Sequence, residues 1–303
     1  MPGWRRTLHE GIVFFSLAFR PGSRRARVLY DVAAASNQFT EHSLYLNLGY
    51  WKHDPKNLDA ACQAMAELLA DAAGMVRQDH VLDVGFGFGD QDLYWMARHQ
   101  PASITGLNIT PNQVRLARER AVRHGQGQMQ FAIGSATELP FQDCSFDKVM
   151  ALECSHHFVT RDDFFHEAFR VLRPGGRLAC AEVLALEEPG NRTTWRDRLA
   201  TYERHFFGAW PRDNWYSREV YRRKLEKSGF SRVRIDSIRE HVYPQLLRYL
   251  STRLEEPDLK VRVNQIHRRR WLRNVRSASY RRRTLRTFDY VIAAADKAAQ
   301  VGG

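Results

Sequence analysis

The chain has 303 residues, an apolar content of 44% and a formal net charge of +12 at pH 7. This length accommodates one large α/β domain with insertions, or two smaller domains, and no stretch approaches the ~20 apolar residues of a membrane-spanning helix. The positive charge predicts an anionic partner, either nucleic acid, a phospholipid surface or an acidic or phosphorylated substrate, unless it marks only a solvated arginine-rich surface.

Four cysteines are scattered along the chain without a C-x-x-C pair, at Cys62, Cys144, Cys154 and Cys180. Three of them fall in or beside predicted core elements. We therefore expect reduced, buried thiols in a cytoplasmic protein and no disulfide framework.

Residues 1–56 are predicted to form an N-terminal helical extension or cap. Its apolar run over residues 11–19, GIVFFSLAF, is bracketed by arginines on both sides. This order suits a signal peptide, but no A-x-A-like cleavage site follows. Two interpretations stay open. The run could form a helix on an anionic membrane surface, making the protein peripheral to the membrane, or a helix packed over the active site.

Apolar runs alternate with helical segments over the main domain, residues 57–303. Such alternation is typical of a doubly wound, mostly parallel sheet with helices on both faces. The first helix is expected over 57–75, and a later helix over 217–230 is expected to end at Gly229. Seven strands are expected, over 80–84, 103–107, 129–133, 147–152, 177–184, 231–241 and 288–296.

Two connections are longer than ordinary loops, at about 186–216 and 242–286. The first is rich in aromatic residues. The second carries eleven Lys or Arg and no Asp or Glu between residues 260 and 286. We expect both connections to build a helical lid at the carboxyl ends of the strands.

The most informative segment is VLDVGFGFGDQ, residues 81–91. It predicts a buried strand, a glycine turn and a helix start, an arrangement that surrounds a ligand with backbone N–H groups. A dinucleotide-binding G-x-G-x-x-G would need glycine at position 90, where this chain has Asp90. A phosphate-binding loop is excluded as well, because no G-K-[ST] follows.

This glycine motif resembles motif I of class I S-adenosylmethionine-dependent methyltransferases. Three later segments match the family in the same order, namely ASITGLNITPNQVRLARERA, GSATELPFQDCSFDKVMALE and RVLRPGGRLACAEV. Together with YLNLGYW, they resemble the small-molecule branch, which includes tocopherol, sterol, glycine/sarcosine, terpene and sugar methyltransferases. The resemblance implies a Rossmann-like seven-stranded fold and S-adenosyl-L-methionine as cofactor.

The resemblance also implies which residues bind the methionine end of that cofactor. Asp83 would organise the glycine loop, and Gly85, Gly87 and Gly89 would let the backbone approach the ligand. Leu152 would close the fourth strand beside the bound methionine.

The nucleoside end of the cofactor is expected at the second and third strands, where this chain departs from the family. Asn108, followed by Ile109, stands where an acidic residue usually holds the ribose hydroxyls, and Gln113 would reach the ribose from the next helix. Ser135 and Ala136 stand where Asp-Ala usually meets the adenine. An amide can still donate and accept hydrogen bonds, so we expect binding to persist.

The segment ECSHHF, residues 153–158, carries the candidate catalytic residues Glu153, His156 and His157. It follows the fourth strand, where the acceptor would meet the methyl group, and a histidine can deprotonate a hydroxyl or amine near pH 7. Adjacent histidines on an extended chain cannot both face one pocket, so at most one is expected to be the base. The spacing does not suit a metal site. Tyr50 would either fold over the cofactor or belong to the core.

The arginine-rich lid has three interpretations: a clamp for an acceptor phosphate or carboxylate, a contact with an anionic membrane, or a nucleic-acid site. ALECS at the fourth strand differs from the D-P-P-Y-like signature of nucleobase amino-methylating relatives. We therefore predict a methyltransferase for a small, lipophilic or anionic metabolite or lipid. The alternative is an RNA methyltransferase or a basic nucleic-acid-binding protein. Asp90 and Asn108 both argue against an NAD-linked enzyme.

Overall fold

A computed structural model describes residues 27, 30, 38–186 and 210–299. The apolar run predicted at 11–19 and most of the first long connection lie outside the described residues. Among the described helices, none is long and apolar enough to cross a membrane.

A seven-stranded sheet forms the centre of the fold, in the order β3-β2-β1-β4-β5-β7-β6. Strand β7 runs antiparallel to both neighbours, and the other paired strands are parallel. The strands are β1 (His80–Val84), β2 (Ser103–Asn108), β3 (Met129–Ile133), β4 (Phe146–Leu152), β5 (Leu172–Ala185), β6 (Ser231–Ser237) and β7 (Phe288–Asp296).

Helices cover both faces of the sheet. The described α-helices are α1 (Leu58–Ala73), α2 (Asp90–Arg98), α3 (Pro111–Arg123), α4 (Arg161–Val171), α5 (Arg218–Lys227), α6 (Tyr243–Arg253), α7 (Pro257–Arg262), α8 (Gln265–Arg276) and α9 (Ala278–Thr287). This is the predicted doubly wound, mostly parallel architecture.

Strand β1 shows how the sequence divides the core into two layers. Val81 joins the apolar cluster under α1, α2 and α3, whereas Leu82 and Val84 join the cluster under α4 and α5. All these side chains are fully buried, as expected for an apolar run in the middle of a parallel sheet. Because β1, β2, β4 and β5 are parallel, their carboxyl ends meet at one edge, where a ligand site is expected.

The predicted elements are confirmed, with differences at their ends. Helix α1 begins after Asn57, whose side chain accepts a hydrogen bond from the Ala60 N–H at 3.0 Å, and it ends at Gly74, which has φ of 60°. Strand β6 stops at Ser237 because residues 239–241 form a short 3₁₀ helix. Helix α5 ends at Lys227 with Ser228 as its capping residue, so the expected cap Gly229 lies one residue after the observed cap.

The second long connection, residues 242–286, forms helices α6 to α9 between β6 and β7. Consequently β6 and β7 pair as antiparallel neighbours although 50 residues separate Ser237 from Phe288 along the chain. The inner sides of α6, α8 and α9 pack on the same core layer as α1.

Candidate active site

A cavity of about 230 Å³ lies at the carboxyl ends of β1, β2 and β4. Its volume and position match the site that the glycine motif predicts. Ten of the predicted site residues line it, namely Gly85, Gly87, Asn108, Ile109, Gln113, Ser135, Ala136, Leu152, Glu153 and His157. We refer to it below as the cofactor cavity.

The glycine loop forms the floor of this cavity. Gly85 and Gly87 have φ of 69° and 61°, a left-handed conformation that other residues rarely adopt. A Cβ atom on Gly85 would lie 2.5 Å from the Cβ of Cys154, so the loop also needs glycine for space. Gly89 ends the loop with φ of 80° and begins α2, but it packs near Ala117 and does not line the cavity.

An amide pair stands where the family usually has a carboxylate for the ribose. Asn108 donates from Nδ2 to Oε1 of Gln113 at 2.9 Å and accepts at Oδ1 from the Thr110 N–H at 3.1 Å. These contacts orient the Gln113 side chain so that its Nε2, which is buried, has no hydrogen-bond partner. The hydroxyl of Thr110 is also buried without a hydrogen-bond partner. A buried donor at a cavity wall is costly unless a ligand satisfies it, so these groups fit a ribose.

The adenine end of the cavity is formed by the turn after β3. The hydroxyl of Ser135 is engaged within that turn, 2.8 Å from the hydroxyl of Thr137 and 3.2 Å from its N–H. Ser135 therefore does not replace the carboxylate of the family pattern, and Ala136 contributes its backbone and its apolar surface. Together with the glycine loop and the amide pair, this turn fits S-adenosylmethionine.

Asp83 lies beneath the glycine loop and does not line the cavity. Its side chain is fully buried and accepts a hydrogen bond from Nε2 of Gln91 at 3.0 Å, and Gln91 in turn lines the cavity. Asp83 thus reaches the cavity wall through Gln91, and its role in organising the glycine loop stays a prediction.

The carboxyl of Asp83 faces that of Asp92, which is also fully buried. Burial, together with the neighbouring Asp92, raises the pKa of Asp83 well above its usual range. Burial raises the pKa of Asp92 to about 8. Two carboxyl groups in this position cannot both ionise cheaply, so the pair retains a proton at neutral pH.

Glu153 follows β4 with φ of 52°, a conformation that is strained for this residue type. Its carboxyl accepts hydrogen bonds from the Leu48 N–H at 2.7 Å and from the Tyr290 hydroxyl. Burial raises the pKa of Glu153 to about 8. Glu153 therefore ties the segment before α1 to β4 and β7 while one side of it faces the cofactor cavity.

The two histidines occupy different environments although their rings touch. Residues 155–157 form a 3₁₀ helix and not the extended chain on which the sequence expectation rested. His157 lines the cofactor cavity, and its Nε2 lies 2.8 Å from the hydroxyl of Tyr30. His156 is buried, and its ring contacts those of His157 and Trp210 at tilted angles, with centroids 4.0 and 4.8 Å away.

A buried glutamate that the sequence analysis missed holds His156. Glu182 on β5 accepts hydrogen bonds from the Ser155 N–H at 2.8 Å and from Nη2 of Arg161 at 3.1 Å, and it lies 3.3 Å from Nδ1 of His156. Burial alone would raise the pKa of Glu182, but the His156 hydrogen bond and the Arg161 charge lower it to about 2. An ionised carboxylate can only accept, so Nδ1 of His156 carries the proton and Nε2 is left as the basic nitrogen.

A second cavity, of about 440 Å³, lies between the sheet and the helices α6, α8 and α9. We refer to it as the inner chamber. Leu46 and Asn47 line both cavities, and Trp210, whose ring contacts that of His156, lines the inner chamber. His157 thus lines the cofactor cavity, whereas His156 lines neither cavity and contacts the wall of the inner chamber through Trp210.

Tyr50 lies outside both cavities. Its ring meets that of His241 edge to face at 5.8 Å, and its N–H donates to the Ala61 carbonyl at 2.8 Å. Tyr50 therefore belongs to the core, which was one of its two expected roles. The residues 44–48 that line the cavities were missed, because they form an irregular segment without periodicity. Glu182 was detectable as a charged residue inside an apolar strand, CAEVLA.

Comparisons with known proteins agree with this geometry. A family model described as "Methyltransferase domain" matches residues 82–180. The chain is 40% identical to an erythromycin 3''-O-methyltransferase from Saccharopolyspora erythraea, over 92% of this chain and 91% of that protein. It is 35% identical to a 27-O-demethylrifamycin SV methyltransferase from Amycolatopsis mediterranei, over 51% and 57% of the two chains. The mycolic acid cyclopropane synthase CmaA1, solved with SAH and CTAB, shares the fold with a TM-score of 0.76 at 16% identity, over 92% and 99%.

We predict that Asn108→Asp strengthens cofactor binding. A carboxylate at this position would accept hydrogen bonds from both ribose hydroxyls, and a hydrogen bond to a charged group contributes about 1 kcal/mol more than a neutral one, or about fivefold in affinity. Titration calorimetry with S-adenosylhomocysteine measures the change. The matched Asn108→Leu variant should bind at least about tenfold more weakly. Unchanged affinity in both variants would show that residue 108 does not face the ribose.

We predict that Asp92→Asn stabilises the protein increasingly as pH rises. Because the pKa of Asp92 is raised to about 8 in the folded state, the folded protein retains a proton that the unfolded chain releases near its ordinary pKa of 3.8. The contribution of Asp92 to the free energy of unfolding is therefore complete at low pH. It falls by on the order of 1 kcal/mol per pH unit as the pH rises towards 8.

Thermal unfolding of wild type and Asp92→Asn between pH 5 and pH 9 tests this, since asparagine lacks the titration. The difference in free energy of unfolding should grow in favour of the variant and level off above about pH 8. Asp54→Asn, at an exposed position, is the control and should give a pH-independent difference. A difference in free energy of unfolding that does not change with pH for Asp92→Asn would contradict the prediction.

Proposed function

Because the chain belongs to the class I S-adenosylmethionine-dependent methyltransferases that act on small metabolites, we propose that it methylates a hydroxyl oxygen of a bulky, largely apolar metabolite. The observation that carries the proposal is the histidine pair at the edge of the cofactor cavity. His157 faces the cofactor cavity, and His156 contacts the wall of the inner chamber through Trp210. A hydroxyl presented between the cavities would meet both the methyl group and a base.

Methyl transfer to oxygen agrees with the activities named for two relatives. One is an erythromycin 3''-O-methyltransferase, and the other methylates 27-O-demethylrifamycin SV. These relatives favour the small-molecule interpretation over the nucleic-acid alternative.

We assign the role of general base to His156. Glu182 orients its imidazole and fixes the proton on Nδ1, so Nε2 is free to take the proton of the acceptor hydroxyl. This division of roles between an imidazole and a buried carboxylate is common to hydrolytic triads. His157 would position the hydroxyl at the edge of the cofactor cavity.

S-adenosylmethionine, when bound, supplies a methyl group on a positively charged sulfur, which leaves as a neutral thioether. The remaining work for the protein is alignment, which can account for about 7–11 kcal/mol of a barrier. The glycine loop and the amide pair would hold the cofactor, while the inner chamber holds the acceptor. Nε2 of His156 would receive the hydroxyl proton as the oxygen–carbon bond forms, a step that contributes about 10²–10⁴-fold.

We further propose that residues 1–56 act as a cap and that residues 186–216 and 242–286 form the lid. Support for the cap comes from Tyr30, which lines the cofactor cavity and meets the His157 ring edge to face at 5.3 Å. Support for the lid comes from α6, α8 and α9, whose inner sides wall the inner chamber. These segments would exclude water from the transferring methyl group.

The arginines of 242–286 support a separate proposal, contact with an anionic membrane surface. None of the described arginines lines either cavity, so they do not clamp the acceptor. Seven of those on α8 and α9 are exposed, namely Arg269, Arg270, Arg273, Arg276, Arg282, Arg283 and Arg286. Val261 and Ile266, 88% and 69% exposed, lie on the adjacent helices α7 and α8 and could enter the lipid boundary.

We predict that the protein binds vesicles containing phosphatidylglycerol and not vesicles of phosphatidylcholine alone. Changing Arg269, Arg273, Arg282 and Arg286 to Gln should abolish binding, because each arginine near such a surface contributes about 1 kcal/mol. Cosedimentation measures binding, and methylation of a water-soluble acceptor should be unchanged. Equal binding of the fourfold variant would refute the membrane contact.

We predict that His156→Ala lowers kcat by about 10²–10⁴-fold with little change in affinity for S-adenosylhomocysteine. His157→Ala should lower kcat by no more than about tenfold, because it removes positioning but leaves the base. The two variants distinguish the roles, because only His156→Ala removes the proposed base. A larger loss of kcat for His157→Ala would transfer the role of base to His157.

A further inference from the structure

We infer that the inner chamber binds the acceptor through an uncharged, rigid, ring-bearing apolar body, and that acceptors whose buried part is anionic or a flexible acyl chain are excluded. The inference rests on the proposed O-methylation and specifies its substrate class. With about 440 Å³, the chamber is within the ~300–1,000 Å³ range of cavities that enclose drug-sized ligands.

Among the residues that the structure describes, the chamber wall carries no Asp, Glu, Lys or Arg, and its one basic side chain is the imidazole of His267. Its apolar part consists of aliphatic side chains on α6, such as Leu246, Leu247 and Leu250, and of large aromatic rings. A carboxylate or phosphate entering it would lose its hydration without meeting a lysine or arginine, which costs several kcal/mol. The exposed arginines cannot supply a countercharge, because they lie on the outer sides of α8 and α9 and do not line the chamber.

The aromatic part of the wall favours rigid rings over a flexible chain. Trp210 and Phe288 stack with their planes 25° apart, and Trp271 meets Phe39 edge to face at 5.9 Å. Such rings mutually fix their orientations and present flat surfaces. A rigid ligand that fits them loses little conformational entropy on binding, whereas an acyl chain must freeze many torsions.

Apart from His267, the chamber has few polar side chains, and most of them are amides and hydroxyls. Gln38 and Asn47 lie on the segment before α1, and Thr284 and Tyr280 lie on α9. Asn47 is also part of the cofactor cavity wall, so an acceptor anchored in the chamber would extend its reacting hydroxyl past Asn47 towards the histidine pair. The chamber therefore defines which part of the acceptor is apolar and which end is methylated.

The test uses the neutral apolar fluorophore N-phenyl-1-naphthylamine as the probe on the full-length protein. Erythronolide B, an uncharged macrolactone, should displace it, and laurate, a flexible carboxylate, should not. Leu247→Trp, which fills the chamber, should weaken probe binding by at least about tenfold. Val122→Trp adds the same side chain at a position that is 81% exposed, and it should leave probe binding unchanged.

The affinity for S-adenosylhomocysteine reports whether each variant is folded, since the cofactor cavity does not include Leu247. If Leu247→Trp fails to bind it, Leu250→Phe replaces that variant. Probe binding that persists in a folded chamber variant, or displacement by laurate as strong as by erythronolide B, would overturn the inference. The experiment measures no methyl transfer, so failure of the proposed reaction would appear separately, as absent activity in an enzyme that still binds the probe.

Discussion

The buried carboxylate of Glu182 is the interaction on which the geometry of the site depends. It joins Arg161 at the start of α4 to the turn that carries Ser155 and His156. Both Glu182 and Arg161 are fully buried, and removing one partner of such a pair typically costs about 3–5 kcal/mol, because the remaining charge is left uncompensated. The position of the histidine pair is therefore fixed by the same interaction that anchors β5 to α4.

Arg161 extends this network to the chain that follows the first long connection. It donates to the backbone carbonyls of Asn214 and Val183, each at 3.0 Å, and its guanidinium lies 5.3 Å from the ring centroid of Tyr216. Asn214 in turn donates to the carbonyl of Phe158 at 2.7 Å. One cluster of buried polar groups thus holds the wall of the inner chamber and the edge of the cofactor cavity in register, although the two walls are distant in sequence.

The sheet could be predicted from sequence because the residues that specify each strand and turn are neighbours along the chain. Val81 to Val84 form a continuous apolar run, and Gly85 and Gly87 have conformations and contacts that only glycine tolerates. The site was predicted less completely, because its other determinants are contacts between distant segments. The motif identified Asp83 as a cofactor ligand, yet the structure buries it below the loop and gives the cavity contact to Gln91. Nothing in the local sequence around residues 44–48 indicates that they separate two cavities.

The molecule separates its charges by location, and this explains why net charge was an ambiguous guide to the substrate. Seven arginines of α8 and α9 are exposed, whereas the carboxyl groups around the cofactor cavity are held close to neutrality by burial. The pKa of Glu153 and that of Asp92 are both raised to about 8. Two further positions where the family usually carries a carboxylate have Asn108 and Ser135 instead.

Around the cofactor, the protein consequently offers little fixed negative charge, and binding must depend on hydrogen bonds and shape. A positively charged sulfonium and the neutral thioether left after transfer would then be held by nearly the same contacts. The driving force for transfer lies in the sulfonium itself, so a neutral cavity loses little catalytic power by failing to stabilise it. The buried charges of the protein lie instead in the pair Glu182–Arg161. This pair orients the proposed base and does not line either cavity.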